Sequence, residues 1–224
     1  SVTIWSLGNE AGNGYNFYQT YLWIKEREKA GMNRPVCYER ALWEWNTDMY
    51  VPQYPSAKWL EHIGKNGSDR PVVPSEYSHA MGNSSGNLWD QWQAIYKYPN
   101  LQGGYIWDWV DQGIYKTLPD GRTMVAYGGD FGDKPNLKAF CFNGLLMSDR
   151  ETTPKYWEVK KVYAPVELKM EKGKLKVTNR NHHIDLSSYR CLWTVSIDGK
   201  QKEQGEITLP EIAPGESKTI DLPT

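Results

Sequence analysis

Short apolar runs that stop just before a carboxyl group constrain this chain more than any other feature. Residues 2–7 form an apolar run followed by Asn9 and Glu10, and residues 71–75 lead directly to Glu76. Such runs are too short for helices and predict buried strands. Parallel barrels carry their functional side chains at the C-terminal ends of the strands. We therefore predict that Glu10 and Glu76 lie at one shared mouth.

Strand and helix patterns alternate along the first 160 residues. Residues 15–29, 57–63 and 88–95 each place apolar side chains on one helical face. Ser56 can cap the second helix, and Gly64 is predicted to end it. This alternation favours a parallel α/β architecture.

The pattern changes to a period of two after about residue 165. Residues 166–170 and 191–197 alternate apolar with polar side chains, and Asp198-Gly199 is a hairpin signal. We predict an antiparallel, immunoglobulin-like β-sandwich over residues 161–224, after an α/β domain over residues 1–160. Because such a sandwich needs roughly 100 residues, only part of it is expected here.

Composition excludes several classes of protein. The 26 Lys and Arg residues balance 27 Asp and Glu residues, so we expect no nucleic-acid or membrane partner. No apolar stretch approaches the about 20 residues of a membrane span, and Cys37, Cys141 and Cys191 have neither disulfide nor zinc spacing. The chain has no initiator Met and no signal peptide. We expect a piece of a longer protein, with its compartment left open.

Two carboxyl groups that flank a substrate are the minimum equipment for glycoside hydrolysis. One protonates the leaving oxygen, and the other attacks the anomeric carbon or activates water. Glu10 and Glu76 are the first candidates, but Glu39, Asp108 and Asp111 also follow predicted strands. Spacing and composition leave these other pairings open.

Four longer motifs carry a resemblance to a known family. They are residues 4–10 (IWSLGNE), 75–84 (SEYSHAMGNS), 103–111 (GGYIWDWVD) and 126–133 (AYGGDFGD), the last followed by residues 140–144 (FCFNG). In this order they resemble the large bacterial β-galactosidases of glycoside hydrolase family 2. The resemblance implies the C-terminal part of a (β/α)8 TIM barrel, roughly strands four to eight, followed by part of the β-sandwich domain.

The resemblance also implies a retaining mechanism. Glu10 matches the family's acid/base and Glu76 its nucleophile, whose carboxyl carbons should then lie about 5–5.5 Å apart. Asn9 matches the amide that binds the sugar's 2-hydroxyl. Tyr50 falls where the family has a tyrosine hydrogen-bonded to the nucleophile.

Further residues are implied to bind the sugar or metal ions. Met49, His79, Trp107 and Asn143 match substrate-binding positions, with Trp107 as the surface on which galactose stacks. Mg²⁺ would be held by Glu10 and two ligands before Ser1, with Asn136 nearby. Na⁺ would be held by the main-chain carbonyl of Phe140 and the side chain of Asn143, plus an upstream aspartate. Oxygen ligands of this kind suit both ions.

Two alternatives to a β-galactosidase remain open at this point. The parent protein could be another family 2 exo-β-glycosidase, a glucuronidase or a mannosidase. The chain by itself could instead be a structural piece that turns over weakly or not at all, since the family's upstream sugar and magnesium ligands lie outside it. A chromogenic β-galactoside distinguishes these readings. The resemblance implies a β-galactoside substrate and a homo-oligomeric parent.

Overall fold

The computed structural model describes residues 2–222, which form two compact units: the residues up to Val162 and those from Tyr163 onward. The helices of the first unit are α1 (Tyr15–Glu28), α2 (Ala57–Asn66), α3 (Leu88–Lys97) and α4 (Pro154–Val162), with a 3-10 helix at Glu39–Ala41. Its strands are β1 (Trp5–Ser6), β2 (Val36–Cys37), β3 (Ile114–Thr117) and β4 (Thr123–Ala126). Within residues 2–222, no helix is long and apolar enough to cross a membrane.

Parallel pairing runs through the first unit and confirms the predicted α/β architecture. Strand β1 pairs in parallel with β2. Single parallel bridges continue the series through Tyr50–Val72, Gln53–Glu76, Val72–Leu101, Tyr77–Ile106 and Val110–Leu146. Among the described residues this series does not close into a barrel. The C-terminal ends of its segments therefore share one edge, where the predicted site residues follow.

Helices α2 and α3 cover these parallel segments with apolar side chains. One buried cluster joins Leu60 of α2 and Ile95 of α3 to Val72 and Leu101 in the paired segments. A second cluster joins Tyr77 to Leu88 of α3 and to Val159 and Val162 of α4. Burial of such side chains stabilises each by roughly 1.5–3 kcal/mol relative to exposure. The mouth-bearing segments thus rest on two packed clusters.

The first strand is shorter and less buried than predicted. Residues 2–7 were expected to form a buried strand, but only Trp5 and Ser6 form a strand, in which Trp5 is half-buried and Ser6 is exposed, and Val2 is exposed as well. Within residues 2–222, β1 has a neighbour on one side only, so little covers it. The Trp5 indole instead donates to the buried carboxylate of Glu28 at 3.0 Å. Hydrogen bonds from Arg34 lower the pKa of Glu28 to about 2.

The predicted end of α2 at Gly64 is wrong, although its predicted cap is confirmed. The Ser56 hydroxyl accepts the backbone N–H of Trp59 at 3.2 Å, and α2 continues through Gly64 to Asn66. A Cβ atom at Gly64 would lie 2.4 Å from the Tyr98 ring. Gly64 is therefore a site of close helix packing rather than a helix stop.

The second unit is antiparallel, as predicted. Strands β5 (Val166–Glu171), β6 (Lys174–Asn179) and β9 (Ser217–Ile220) form one sheet in the order β5-β6-β9, and β7 (Arg190–Ile197) pairs with β8 (Lys200–Thr208). Asp198 and Gly199 form the turn between β7 and β8, which confirms the hairpin signal. A buried cluster contains Val177, Leu186, Leu209 and Ile212. The complete β-sandwich stays a prediction.

Replacing Gly64 with Ala tests the packing of α2 on Tyr98. Overpacking costs roughly 1–3 kcal/mol, and better helix propensity offsets about 1 kcal/mol of this. We expect a net loss of up to about 2 kcal/mol in the free energy of unfolding, measured by denaturant titration. Gly86→Ala is the matched control, because nothing lies within 4 Å of the added Cβ. A Gly64→Ala protein more stable than wild type would contradict the packing account.

Candidate active site

Two adjacent residues, Gln53 and Tyr54, each bind one of the predicted catalytic carboxyl groups. The Gln53 amide donates to Glu10 Oε1 at 2.5 Å. The Tyr54 phenol donates to Glu76 Oε2 at 2.6 Å. The main chain fixes this arrangement, since Gln53 pairs in parallel with Glu76 and the Tyr54 N–H donates to the Glu76 carbonyl at 2.7 Å. The structure thus gathers Glu10 and Glu76 around one dipeptide.

Glu10 sits on a sharply turned loop after β1. Its φ of 44° lies in the left-handed region, which residues other than glycine seldom adopt. The Glu10 N–H donates to Glu39 Oε1 at 2.5 Å, and the next N–H, that of Ala11, donates to the Tyr38 phenol at 3.3 Å. The carboxyl group itself is exposed to solvent. Its position therefore depends on contacts made by its loop.

A cavity of about 340 Å³ lies beside these groups and is lined by Asn9, Glu39, Glu76 and Trp107 among others. The Trp107 side chain is 38% exposed, which leaves indole surface available for a ligand. A larger cavity of about 660 Å³ is lined by Gln53 and Tyr54 but not by Glu76, and Glu10 is in the lining of neither cavity. We assign the site to the smaller cavity because Glu76, a candidate catalytic carboxyl group, lines it. The presence of such a group is better evidence for an active site than the volume of a cavity.

The expectation that Tyr50 contacts the nucleophile is wrong. Tyr50 is 7% exposed. Its phenol donates a hydrogen bond to Asp69 and accepts one from Arg70 at 2.6 Å. Tyr50 pairs with Val72 within the sheet, whereas Tyr54 follows the end of the paired segment, at the mouth. Tyr54 was missed, although its place at a strand end was a usable signal. Burial and the hydrogen bond to Glu76 raise the pKa of Tyr54, which keeps its phenol protonated.

Met49 is also placed differently from the prediction. It is buried in a cluster with Val51 and Val73 and belongs to the core rather than to the cavity. Gln53, which sequence reasoning did not single out, occupies the mouth instead. Both expectations, for Met49 and for Tyr50, rest on the family resemblance of this segment, which by itself does not show which of its side chains reach the mouth.

The structure brings His79 and Phe140 close to Tyr54. The ring centroids are 5.8 Å apart between Tyr54 and His79, and 6.1 Å apart between His79 and Phe140. Asn143 is 2% exposed, and its Nδ2 donates to the Phe140 carbonyl at 3.3 Å. The Asn143 Oδ1 atom is buried without a hydrogen-bond partner in this structure. An unpaired amide oxygen beside a carbonyl fits the oxygen ligands of a monovalent cation.

The predicted magnesium residues do not form a ligand cluster by themselves. Asn136 uses both ends of its amide locally, donating to the Asp133 carbonyl at 2.9 Å and accepting from the Lys138 N–H at 3.2 Å. In the described part of the chain, no group of three or more His, Cys, Asp or Glu side chains could hold a metal. Magnesium binding through Glu10 and Asn136 stays a prediction.

Separate Phe substitutions of the two tyrosines test the corrected assignment. Tyr50→Phe removes the hydrogen bonds that join a buried phenol to the exposed Asp69 and to Arg70, which keeps its backbone partners, so stability should fall by only roughly 0.5–1.5 kcal/mol, with turnover per folded molecule unchanged. Tyr54→Phe removes a bond at Glu76, so glycoside turnover should fall while the melting temperature changes little. Both variants are assayed in the parent polypeptide, meaning the longest natural polypeptide that contains this chain. If Tyr50→Phe instead lowered turnover while Tyr54→Phe lowered only stability, Tyr50 would be assigned to the site.

Comparison with known proteins agrees with the motifs. Residues 1–168 match the domain described as "Glycosyl hydrolases family 2, TIM barrel domain", and residues 175–224 match "Beta-galactosidase, domain 4". A β-galactosidase of Priestia megaterium is 40% identical over 228 residues, covering 99% of this chain and 22% of that protein. A β-galactosidase of Vibrio cholerae is 41% identical over 237 residues, with the same two coverages.

The solved structures that match this chain are more distant. A β-galacturonidase from Eisenbergiella tayi has a TM-score of 0.48 and 18% identity, covering 72% of this chain and 33% of that chain. The chain spans only 22% of the length of the two β-galactosidases. The domain match covers 168 of the 224 residues. The chain therefore belongs to glycoside hydrolase family 2, and its first part comes from the TIM-barrel domain of that family.

Proposed function

We propose that the parent polypeptide is a retaining β-galactosidase, which hydrolyses terminal non-reducing β-D-galactose residues from lactose-like β-galactosides. The observation that carries this proposal is the pair of hydrogen bonds from Gln53 to Glu10 and from Tyr54 to Glu76. Two carboxyl groups held by neighbouring residues can act on opposite sides of one glycosidic bond. Family 2 membership and the two β-galactosidase relatives support the same chemistry.

Glu76 is proposed as the nucleophile. Its carboxylate attacks the anomeric carbon and displaces the aglycone, forming a galactosyl ester. Tyr54 donates a hydrogen bond to Glu76 Oε2, which stabilises negative charge on that oxygen. The same bond favours release of the carboxylate when the ester is hydrolysed in the second step.

Glu10 is proposed as the acid/base. In the first step it gives a proton to the leaving oxygen, and in the second it takes one from the attacking water. The Gln53 amide holds Glu10 Oε1. The other carboxyl oxygen is then the one that exchanges the proton.

The remaining groups of the site suit a neutral sugar. Trp107 presents indole surface to the cavity, and Asn9 lines it beside Glu76, as stacking and a 2-hydroxyl contact require. His79 and Asn143 are proposed to bind sugar hydroxyls. Na⁺ is proposed at Asn143 Oδ1 and the Phe140 carbonyl, and Mg²⁺ at Glu10 near Asn136. When bound, either ion would supply fixed positive charge beside the residues that hold it.

The second candidate is another family 2 exo-β-glycosidase. The motif at residues 140–144 and the β-galactosidase names of the two relatives favour galactose over glucuronate or mannose. A panel of aryl β-galactoside, β-glucuronide and β-mannoside substrates decides among them. Preference for the glucuronide or the mannoside would overturn the galactosidase proposal.

Substituting the two glutamates separates their roles. Glu76→Gln should abolish turnover on every substrate, because nothing replaces the nucleophile. Glu10→Gln should lose roughly 10²–10⁴-fold on lactose but much less kcat/KM on an activated aryl galactoside, whose leaving group needs no proton. Glu151→Gln is the control for the loss of an exposed carboxyl group. Equal losses on both substrates for Glu10→Gln would assign the acid to another residue.

A further inference from the structure

A third carboxyl group, that of Glu39, lies in the wall of the cavity that holds Glu76. Glu39 is the first residue of the 3-10 helix after β2, and it is only 6% exposed. Its Oε1 accepts the backbone N–H of Glu10 at 2.5 Å. A buried carboxylate is costly unless hydrogen bonds compensate for lost hydration. This one is compensated by the main chain of the proposed acid/base.

The bond from Glu10 to Glu39 fixes a backbone conformation that is otherwise unfavourable. Glu10 has a φ of 44°, a left-handed value that costs energy for a residue with a Cβ. The neighbouring Tyr38 phenol accepts the Ala11 N–H and donates to the Gly12 carbonyl. The Phe17 ring stacks on Tyr38 with centroids 4.3 Å apart. Residues 38 and 39 thus hold the loop at residues 10–12 from one side.

The contacts continue around Glu10 and return to Glu39. The Glu39 carboxylate lies 3.5 Å from Arg40 Nε, and Arg40 Nη2 donates to Gln53 Oε1 at 3.4 Å. Gln53 in turn donates to the Glu10 carboxylate. These contacts form a closed ring through Glu10, Glu39, Arg40 and Gln53, which includes both the main chain and the side chain of Glu10. Loss of Glu39 would remove the buried member of this ring of contacts.

We propose that Glu39 is a positioning residue for the acid/base, holding the Glu10 main chain so that its carboxyl group meets the leaving oxygen. This inference rests on the proposed function of Glu10. The Glu39 carboxylate accepts a hydrogen bond from the Glu10 main chain, whereas the Glu76 carboxylate accepts one from the Tyr54 phenol. Loss of Glu39 should therefore impair proton transfer and leave nucleophilic attack largely intact.

A merely structural carboxylate would behave differently, and the chain contains one for comparison. Glu28 is also 6% exposed, and it binds Arg34 and the Trp5 indole. Removing it should lower stability without any dependence on the leaving group. Glu28→Ala is therefore the matched control for Glu39→Ala.

The experiment compares kcat/KM on lactose and on a dinitrophenyl β-galactoside in the parent polypeptide. We expect Glu39→Ala to lose at least about tenfold on lactose, a part of the general-acid contribution, and less than about threefold on the activated substrate. Glu39→Gln keeps an oxygen that can accept the Glu10 N–H and should recover most of the lactose activity. In a Glu10→Gln background, Glu39→Ala should cost little more, because coupled residues are not additive.

Three results would overturn the inference: equal losses on both substrates, full additivity with Glu10→Gln, or unchanged lactose activity in Glu39→Ala. If Glu39→Ala does not fold, Glu39→Asp serves, since it withdraws the carboxylate by one methylene and should show the same dependence on the leaving group. Wild type is assayed first. If it cleaves neither galactoside, the proposed substrate is wrong, and the same comparison is made with good and poor leaving groups on the glycoside it does cleave.

Discussion

The parallel pairing of Gln53 with Glu76 is the constraint on which the candidate site depends. It places a side-chain amide and a phenol, two consecutive residues, at the mouth beside the carboxyl groups. A slip of one residue would turn each of these side chains to the opposite face of the sheet. The apolar clusters beneath, built by α2 and α3 on Val72 and Leu101, oppose such a slip. Core packing thus determines which residues can meet the substrate.

The two glutamates are supported in different ways, which suits the different roles proposed for them. Glu76 is itself paired with Gln53 in the sheet, so this pairing fixes its main chain and Tyr54 fixes one carboxyl oxygen. Glu10 lies on a loop in a left-handed conformation and relies on Glu39 and Gln53. In the proposed mechanism Glu76 attacks and then leaves the anomeric carbon, whereas Glu10 donates and then accepts a proton. Because loop contacts rather than the sheet hold Glu10, we expect it to be more sensitive than Glu76 to changes in neighbouring loops.

Local patterns revealed the elements and the carboxyl groups, while contacts distant in sequence decided the rest. The apolar runs before Glu10 and Glu76, the Ser56 cap and the hairpin at Asp198-Gly199 are local features, and sequence reasoning found them. The end of α2 was misplaced because the Tyr98 ring that requires Gly64 lies 34 residues further along the chain. Tyr50 was assigned from the family resemblance alone, and it is the pairing of the segment with its neighbour that places Tyr54 at the mouth instead. Glu39 remained one of several open carboxylates because strand register is invisible in one sequence.

Covalent trapping tests the central claim, that Glu76 is the nucleophile of a retaining glycosidase, most directly. The parent polypeptide is incubated with a dinitrophenyl 2-deoxy-2-fluoro-β-galactoside, which forms the glycosyl ester but hydrolyses it slowly, and is then digested for peptide mass spectrometry. If Glu76 is the nucleophile, we expect one fluorogalactosyl group per chain, attached to Glu76. A label on Glu10, Glu39, Asp108 or Asp111, or turnover with inversion at the anomeric carbon, would contradict it.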